Sequence, residues 1–231
     1  MNSLRARSRS SLLTAAAAVT IIAGCVTGCT GTAAPSPSEA DATPTSIGPL
    51  GDGFLSGTTP TPEATVNPEA GSWEGVEPPT GYRVVLISAG EDSATNTLVS
   101  AVTEWAASRN VDLVKLTALD DDGVETQINA AVELAPDLVV GAGSGIVDVF
   151  ALLTPQHLGQ QFLAVGAELA EPTGNATAVV WEGATFRGSG LSSDDERDPA
   201  AVTPERASEA ISAGVASVLH GLTGIVLHLE F

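Results

Sequence analysis

The 231-residue sequence has two cysteines, Cys25 and Cys29, and none after residue 29. A disulfide framework, a thiol nucleophile and a cysteine-based metal site are thereby excluded from the rest of the chain. It has one lysine, Lys115, among nine basic residues facing 28 acidic ones, for a net charge of −19. Such a surface repels nucleic acid and anionic lipid headgroups. Aromatic residues make up 4 % of the chain, too few for a base-stacking platform. There is no G-x-S-x-G elbow, no H-E-x-x-H and no G-K-[ST], so the common hydrolase, zinc-peptidase and P-loop signatures are absent. No apolar run reaches the roughly 20 residues of a permanent membrane span. What remains is a hydrophobic fraction of 43 %, enough for a real core, with no internal repeat.

The amino terminus has the grammar of an export signal. Arg5, Arg7 and Arg9 form a positive segment, and "LLTAAAAVTIIA" (12–23) is a short apolar one. Ile22-Ala23-Gly24-Cys25 follows directly and has the form of a bacterial lipobox. Small residues before the cysteine let an extended backbone enter a membrane peptidase, and the thiol takes the diacylglycerol. Residues 1–24 are expected to be a lipoprotein signal peptide and Cys25 the lipidated residue, with palmitate-type acyl chains giving a stable anchor. Val26-Thr27-Gly28-Cys29 also fits, so Cys29 is a rival acceptor. A disulfide between the two would close a very tight loop and tie neither to a distant element.

Residues 30–80 contain nine of the fourteen prolines, among Thr, Ser, Gly and Ala, and no apolar period survives there. Residues 25–80 are therefore expected to be a lipidated, disordered linker, with "GPLGDGFLSG" (48–57) as a minor docking candidate. From Gly81 the texture changes. Apolar runs "RVVLIS" (83–88), "VDLVKL" (111–116), "PDLVVG" (136–141), "QFLAVG" (161–166), "ATAVVW" (176–181) and "GIVLHLEF" alternate with helical patterns. Thr203, Pro204 and Gly221 mark the N-cap, first residue and stop of the last helix. Strands apolar on both faces and separated by helices predict an α/β domain over residues 81–231. The expected architecture is a doubly wound, Rossmann-like parallel sheet of five or six strands in flavodoxin-like order, with helices on both faces.

Ligands of such sheets sit at the carboxyl ends of the strands. The loop after the first strand carries Asp92, Ser93 and Asn96, and the one after the fourth carries Glu168. Both acids could accept hydrogen bonds from a sugar-like ligand, while helix capping by Asp92 and solvation of Glu168 remain equally open. "GAGSG" (141–145) permits a tight βα turn and brings Gly143 among the ligand-binding candidates. "ALDDDGVET" (118–126) matches calcium-loop register only in part, so it reads as a solvated helix cap, and no metal or cofactor is expected. His157 falls at the amino edge of a strand, and His220 and His228 on the last helix and strand, where packing or surface roles are the default. No nucleophile–base constellation appears, so binding is expected rather than catalysis.

The lipobox, the Pro/Thr-rich linker, "VVLISAGEDSATN", "PDLVVGAGSGIVDVF", "QQFLAVGAELAE" and "NATAVVWEGATFRGSGL" together resemble the basic membrane protein (BMP) family. Those are nucleoside-binding lipoproteins of ABC importers with the type I periplasmic-binding-protein fold. The resemblance spans about residues 82–191. It implies that Asp92, Ser93 and Asn96 match the family's ligand-holding turn without its aromatic, and that Glu168 stands where the family's ribose-binding acid ends the fourth strand. It also implies an extracytoplasmic, lipid-anchored protein, a small nucleoside- or sugar-like solute and an ABC permease as partner. The forty residues after Leu191 are fewer than a second lobe needs, so the domain is expected to be one lobe. The alternative is a structural or regulatory cell-envelope lipoprotein that binds a protein partner and no small ligand.

Overall fold

The computed structural model describes residues 46–184 and 198–231. The expected signal peptide, Cys25, Cys29 and the linker up to residue 45 lie outside the described residues, as do residues 185–197. Among the described residues, seven strands make one open sheet: β1 (Thr65–Val66), β2 (Arg83–Ala89), β3 (Asp112–Ala118), β4 (Leu138–Ala142), β5 (Phe162–Val165), β6 (Ala176–Trp181) and β7 (Val226–Leu229). Their order is β1-β7-β6-β5-β4-β2-β3, and every pairing is parallel. The described residues between them include four α-helices: α1 (Ser93–Ser108), α2 (Asp121–Glu133), α3 (Val147–Leu153) and α4 (Pro204–Leu219). α1 packs with α4 and α2 with α3, so both faces of the sheet are covered. Setting β1 aside, the order is the flavodoxin-like winding that the alternating pattern implies.

The strands sit where both faces demand apolar side chains. β4, β5 and β6 are buried along their whole length, and β2 at every residue after Arg83. The helices start at side-chain caps: Asp92 accepts from the Thr95 N–H, Asp120 from Gly123 and Thr203 from Arg206. α4 stops in a Schellman turn, in which Gly221 (φ +70°) donates to the Val218 carbonyl and Leu222 to that of Ser217. Gly214 lets α4 lie close on the sheet, because a Cβ there would come within 2.8 Å of Leu163 and 2.9 Å of Val179.

Residues 46–80 depart most from the linker expectation. Gly51 N–H donates to the Ser72 carbonyl (2.7 Å), Glu69 to Gly53 (3.0 Å) and Glu77 to Ile47 (2.9 Å), closing the segment on itself. Phe54, Trp73 and Val76 are buried. The Trp73 indole donates to Glu209 on α4 at 2.8 Å, and His220 Nε2 donates to the Gly48 carbonyl at 3.0 Å. The segment also supplies β1, which pairs with β7 and makes the seventh strand. The physical reason is that a strap needs few anchors. Burying one large aromatic contributes about 1.5–3 kcal/mol, and two well-placed ones order a stretch whose composition is otherwise that of a linker.

Candidate functional site

The loops after β2, β4, β5 and β6 meet at the carboxyl edge of the sheet. Asp92 stands there as the α1 cap, with Oδ1 accepting from the Thr95 N–H (3.0 Å) and Oδ2 from the Thr95 hydroxyl (2.7 Å). Gly143 follows β4 with φ +85°, and a Cβ on it would come within 2.8 Å of the Thr95 hydroxyl oxygen. Its glycine is thus needed for both conformation and space. Asp92, Thr95, Gly143 and Gly166 wall a cavity of about 20 Å³. That volume holds a single water.

The opposite wall is the chain's own. Pro199 and Val202 close the cavity from across the strand ends. The short 3₁₀ turn Pro199–Ala201 is pinned there by three bonds: Asp198 N–H to the Gly183 carbonyl (3.0 Å), and the Trp181 indole (2.9 Å) and Arg206 Nη1 (3.3 Å) to the Ala201 carbonyl.

Of the residues singled out in the sequence, the structure brings Asp92 and Gly143 to one cavity. Ser93 and Asn96 are exposed on the first turns of α1 and do not line it, and the Asn96 amide donates back to the Glu91 carbonyl at 3.1 Å. Glu168 is half-buried beyond β5 and also lies outside the wall, and burial raises the pKa of its carboxyl.

A second, larger cavity opens at the carboxyl ends of β6 and β7. It measures about 320 Å³ and is lined by Glu182, Arg206, His228, Leu229, Glu230 and Phe231. The Arg206 guanidinium carbon lies 5.3 Å from the centre of the Phe231 ring, and that ring meets Trp181 edge-on at 6.0 Å. Arg206 makes no ion pair among the described residues, although two glutamates share its cavity.

Sequence reasoning passed over Arg206, and a signal for it exists. Thr203 is the cap of α4, so Arg206 is the third residue of the helix, where the macrodipole disfavours a cation. Arg206 is thus a charge set against a local rule in a chain with few basic residues.

No family model matches this chain, and no curated protein matches it. Solved structures do. An ABC transporter solute-binding protein from Aeropyrum pernix K1 is 18 % identical over 44 % of this chain and 29 % of its own, with a TM-score of 0.39. One from Conexibacter woesei DSM 14684 is 23 % identical over 44 % of this chain and 36 % of its own, at a TM-score of 0.39. A periplasmic ribose ABC transporter protein from the same organism is 15 % identical over 65 % and 55 %, at 0.37. The matched part thus spans 29 % to 55 % of these solute-binding proteins. Such identities and TM-scores are too low to transfer a ligand or a partner.

Proposed function

We propose that the chain is a membrane-anchored extracytoplasmic lipoprotein of BMP-like ancestry, held by acyl chains on Cys25, whose α/β lobe recognises a small solute at its strand ends. The observation that supports solute recognition is the cavity of about 320 Å³ at the carboxyl ends of β6 and β7, furnished with ionisable groups and an aromatic ring. Its volume falls at the lower end of the range of small-molecule sites, about 300–1,000 Å³. At the other end of the sheet Gly48 contacts the α4 C-terminus. In this reading the lobe serves an ABC permease as a solute receptor, and the chemistry is binding without turnover.

Two measurements test the proposal. Intact mass of the membrane-extracted protein locates the lipid: acyl chains on Cys25 are expected, and an unmodified Cys25 refutes the anchor. Calorimetry of the full chain in detergent against panels of nucleosides, sugars and amino acids tests recognition: saturable heat from one class is expected, and none from any class refutes it.

One observation favours a second reading, an envelope component that binds a protein partner. Residues 198–202 fill the place where a BMP-type ligand would meet Asp92, and a nucleoside does not fit into about 20 Å³. A partner recovered by crosslinking in cells, and retained in Asp92→Ala and Glu168→Ala variants, would select this reading.

A further inference from the structure

The cavity at the ends of β6 and β7 carries more information than its size. Arg206 is held on two sides, by the Ala201 carbonyl on Nη1 and by the Phe231 ring, whose centre lies 5.3 Å from the guanidinium carbon. Those restraints fix the fork while leaving it without a carboxylate among the described residues. A planar guanidinium pre-oriented in this way matches a carboxylate through two parallel hydrogen bonds. Glu182 and Glu230 line the same space and form no ion pair among the described residues. They are suited to an ammonium group.

Phe231, 53 % exposed, offers an apolar ring beside these charges. A simple anion is repelled by a protein of net charge −19. An uncharged nucleoside or sugar offers Arg206 no charge-assisted pair. Another hollow, about 470 Å³ beside β1, is lined by Ser, Thr, Pro, Asn and aliphatic side chains, with no ionisable residue among them to orient a charged ligand.

We infer that this cavity binds a small zwitterion, a free α-amino acid or a dipeptide, with its carboxylate on Arg206, its ammonium between Glu182 and Glu230, and its apolar side chain on Phe231. The inference rests on the solute-receptor reading and names the class of solute. His228, half-buried in the wall, supplies a further polar contact. Net-neutral or cationic amino acids bind in preference to aspartate and glutamate, because the field of the whole protein adds to the local selection.

The test uses the full-length chain in detergent micelles, titrated with single amino acids and dipeptides and, in parallel arms, with nucleosides and neutral sugars. Expected is saturable binding of neutral or basic amino acids or dipeptides. Binding should weaken at least tenfold in Arg206→Ala and by a smaller factor in Phe231→Ala, and should not change in Glu125→Ala on the exposed side of α2. Tryptophan indole NMR supplies a local readout: the Trp181 signal, next to Phe231, shifts on titration while those of Trp73 and Trp105 stay. Arg206→Lys, which keeps the charge and loses the fork, separates folding from recognition, and it should fold while binding weakly. Heat from nucleosides or sugars but not from amino acids or dipeptides overturns this inference and leaves the solute-receptor reading standing. Silence in every arm overturns both. Amino-acid binding that is unaffected in Arg206→Ala, or that moves the Trp105 signal alone, places the site elsewhere and also overturns the inference.

Discussion

The two edges of the sheet are finished in opposite ways. At one edge, β3 runs for seven residues beside β2 and is built by the ordinary strand–helix repeat. Its Asp112 N–H donates to the Tyr82 carbonyl and its Ala118 carbonyl accepts from Gly90, so residues 112, 114, 116 and 118 face β2. Leu113, Lys115 and Thr117 turn their backbone groups outward. The sole lysine of the chain sits at the middle of this open edge, a common guard against edge-to-edge pairing. At the other edge, β1 is two residues long, comes from the N-terminal strap and lies between Pro62 and Pro68. Brevity and proline do there what charge does at β3. An edge made by the repeat is therefore guarded by one side chain, whereas an edge made by a strap depends on distant anchors.

The largest expected effect tests those anchors. Trp73→Ala removes a buried indole and its bond to Glu209, and should cost about 3–5 kcal/mol in urea denaturation of the full chain. Val114→Ala on the open edge, where the side chain is 39 % exposed, should cost less than about 1 kcal/mol. Equal costs would mean that the strap is no part of the cooperative fold, and the contrast between the edges would vanish.

A finer test stays within β1. The Val226 N–H donates to the Ala64 carbonyl, so parallel alternation turns Val66 toward β7 and Thr65 away from it. Val66→Pro deletes an inter-strand donor, and Thr65→Pro deletes an outward one. The first should destabilise by about 1–3 kcal/mol more than the second. Hydrogen exchange at Val226 should accelerate in Val66→Pro alone. Indistinguishable variants would show that β1 does not hold this register.

These contrasts explain what was legible in the sequence. β2, β4, β5 and β6 were readable because a strand covered on both faces must be apolar throughout, as "RVVLIS" and "ATAVVW" are, and the caps at Asp92 and Thr203 announce themselves by residue type. The strap was not readable. Phe54, Trp73 and Val76 follow no helical or strand period, and the prolines and threonines around them have the composition of a linker. The candidate site was half readable. Asp92 and Gly143 were found because strand-end loops are a topological expectation, and the structure does bring them to one cavity. That residues 198–202 would fold over it, and that Arg206, Trp181 and Phe231 would converge beside it, depends on contacts between segments that are local in neither sequence nor pattern. Only the misplaced charge of Arg206 at a helix start pointed there.

The smallest effect on stability is expected at Lys115, and it sharpens the comparison most. Replacing this exposed side chain by valine, a better strand former, should change unfolding free energy by no more than about 0.5 kcal/mol. Its consequence is intermolecular. If two copies pair antiparallel through β3 about a two-fold axis centred on residue 115, the two ammonium groups lie directly opposite, an arrangement that opposes pairing. Lys115→Val removes that opposition and leaves a seven-residue edge with Val114 exposed. Light scattering on the full chain in detergent should then show concentration-dependent association that the parent chain lacks. Lys115→Glu restores a charge of the other sign and should remain unassociated. Association of both variants would assign the guard to lysine itself rather than to charge. Association of neither would show that the β3 edge is protected by its twist and its neighbours, and that the two edges of this sheet differ in length but not in how they are guarded.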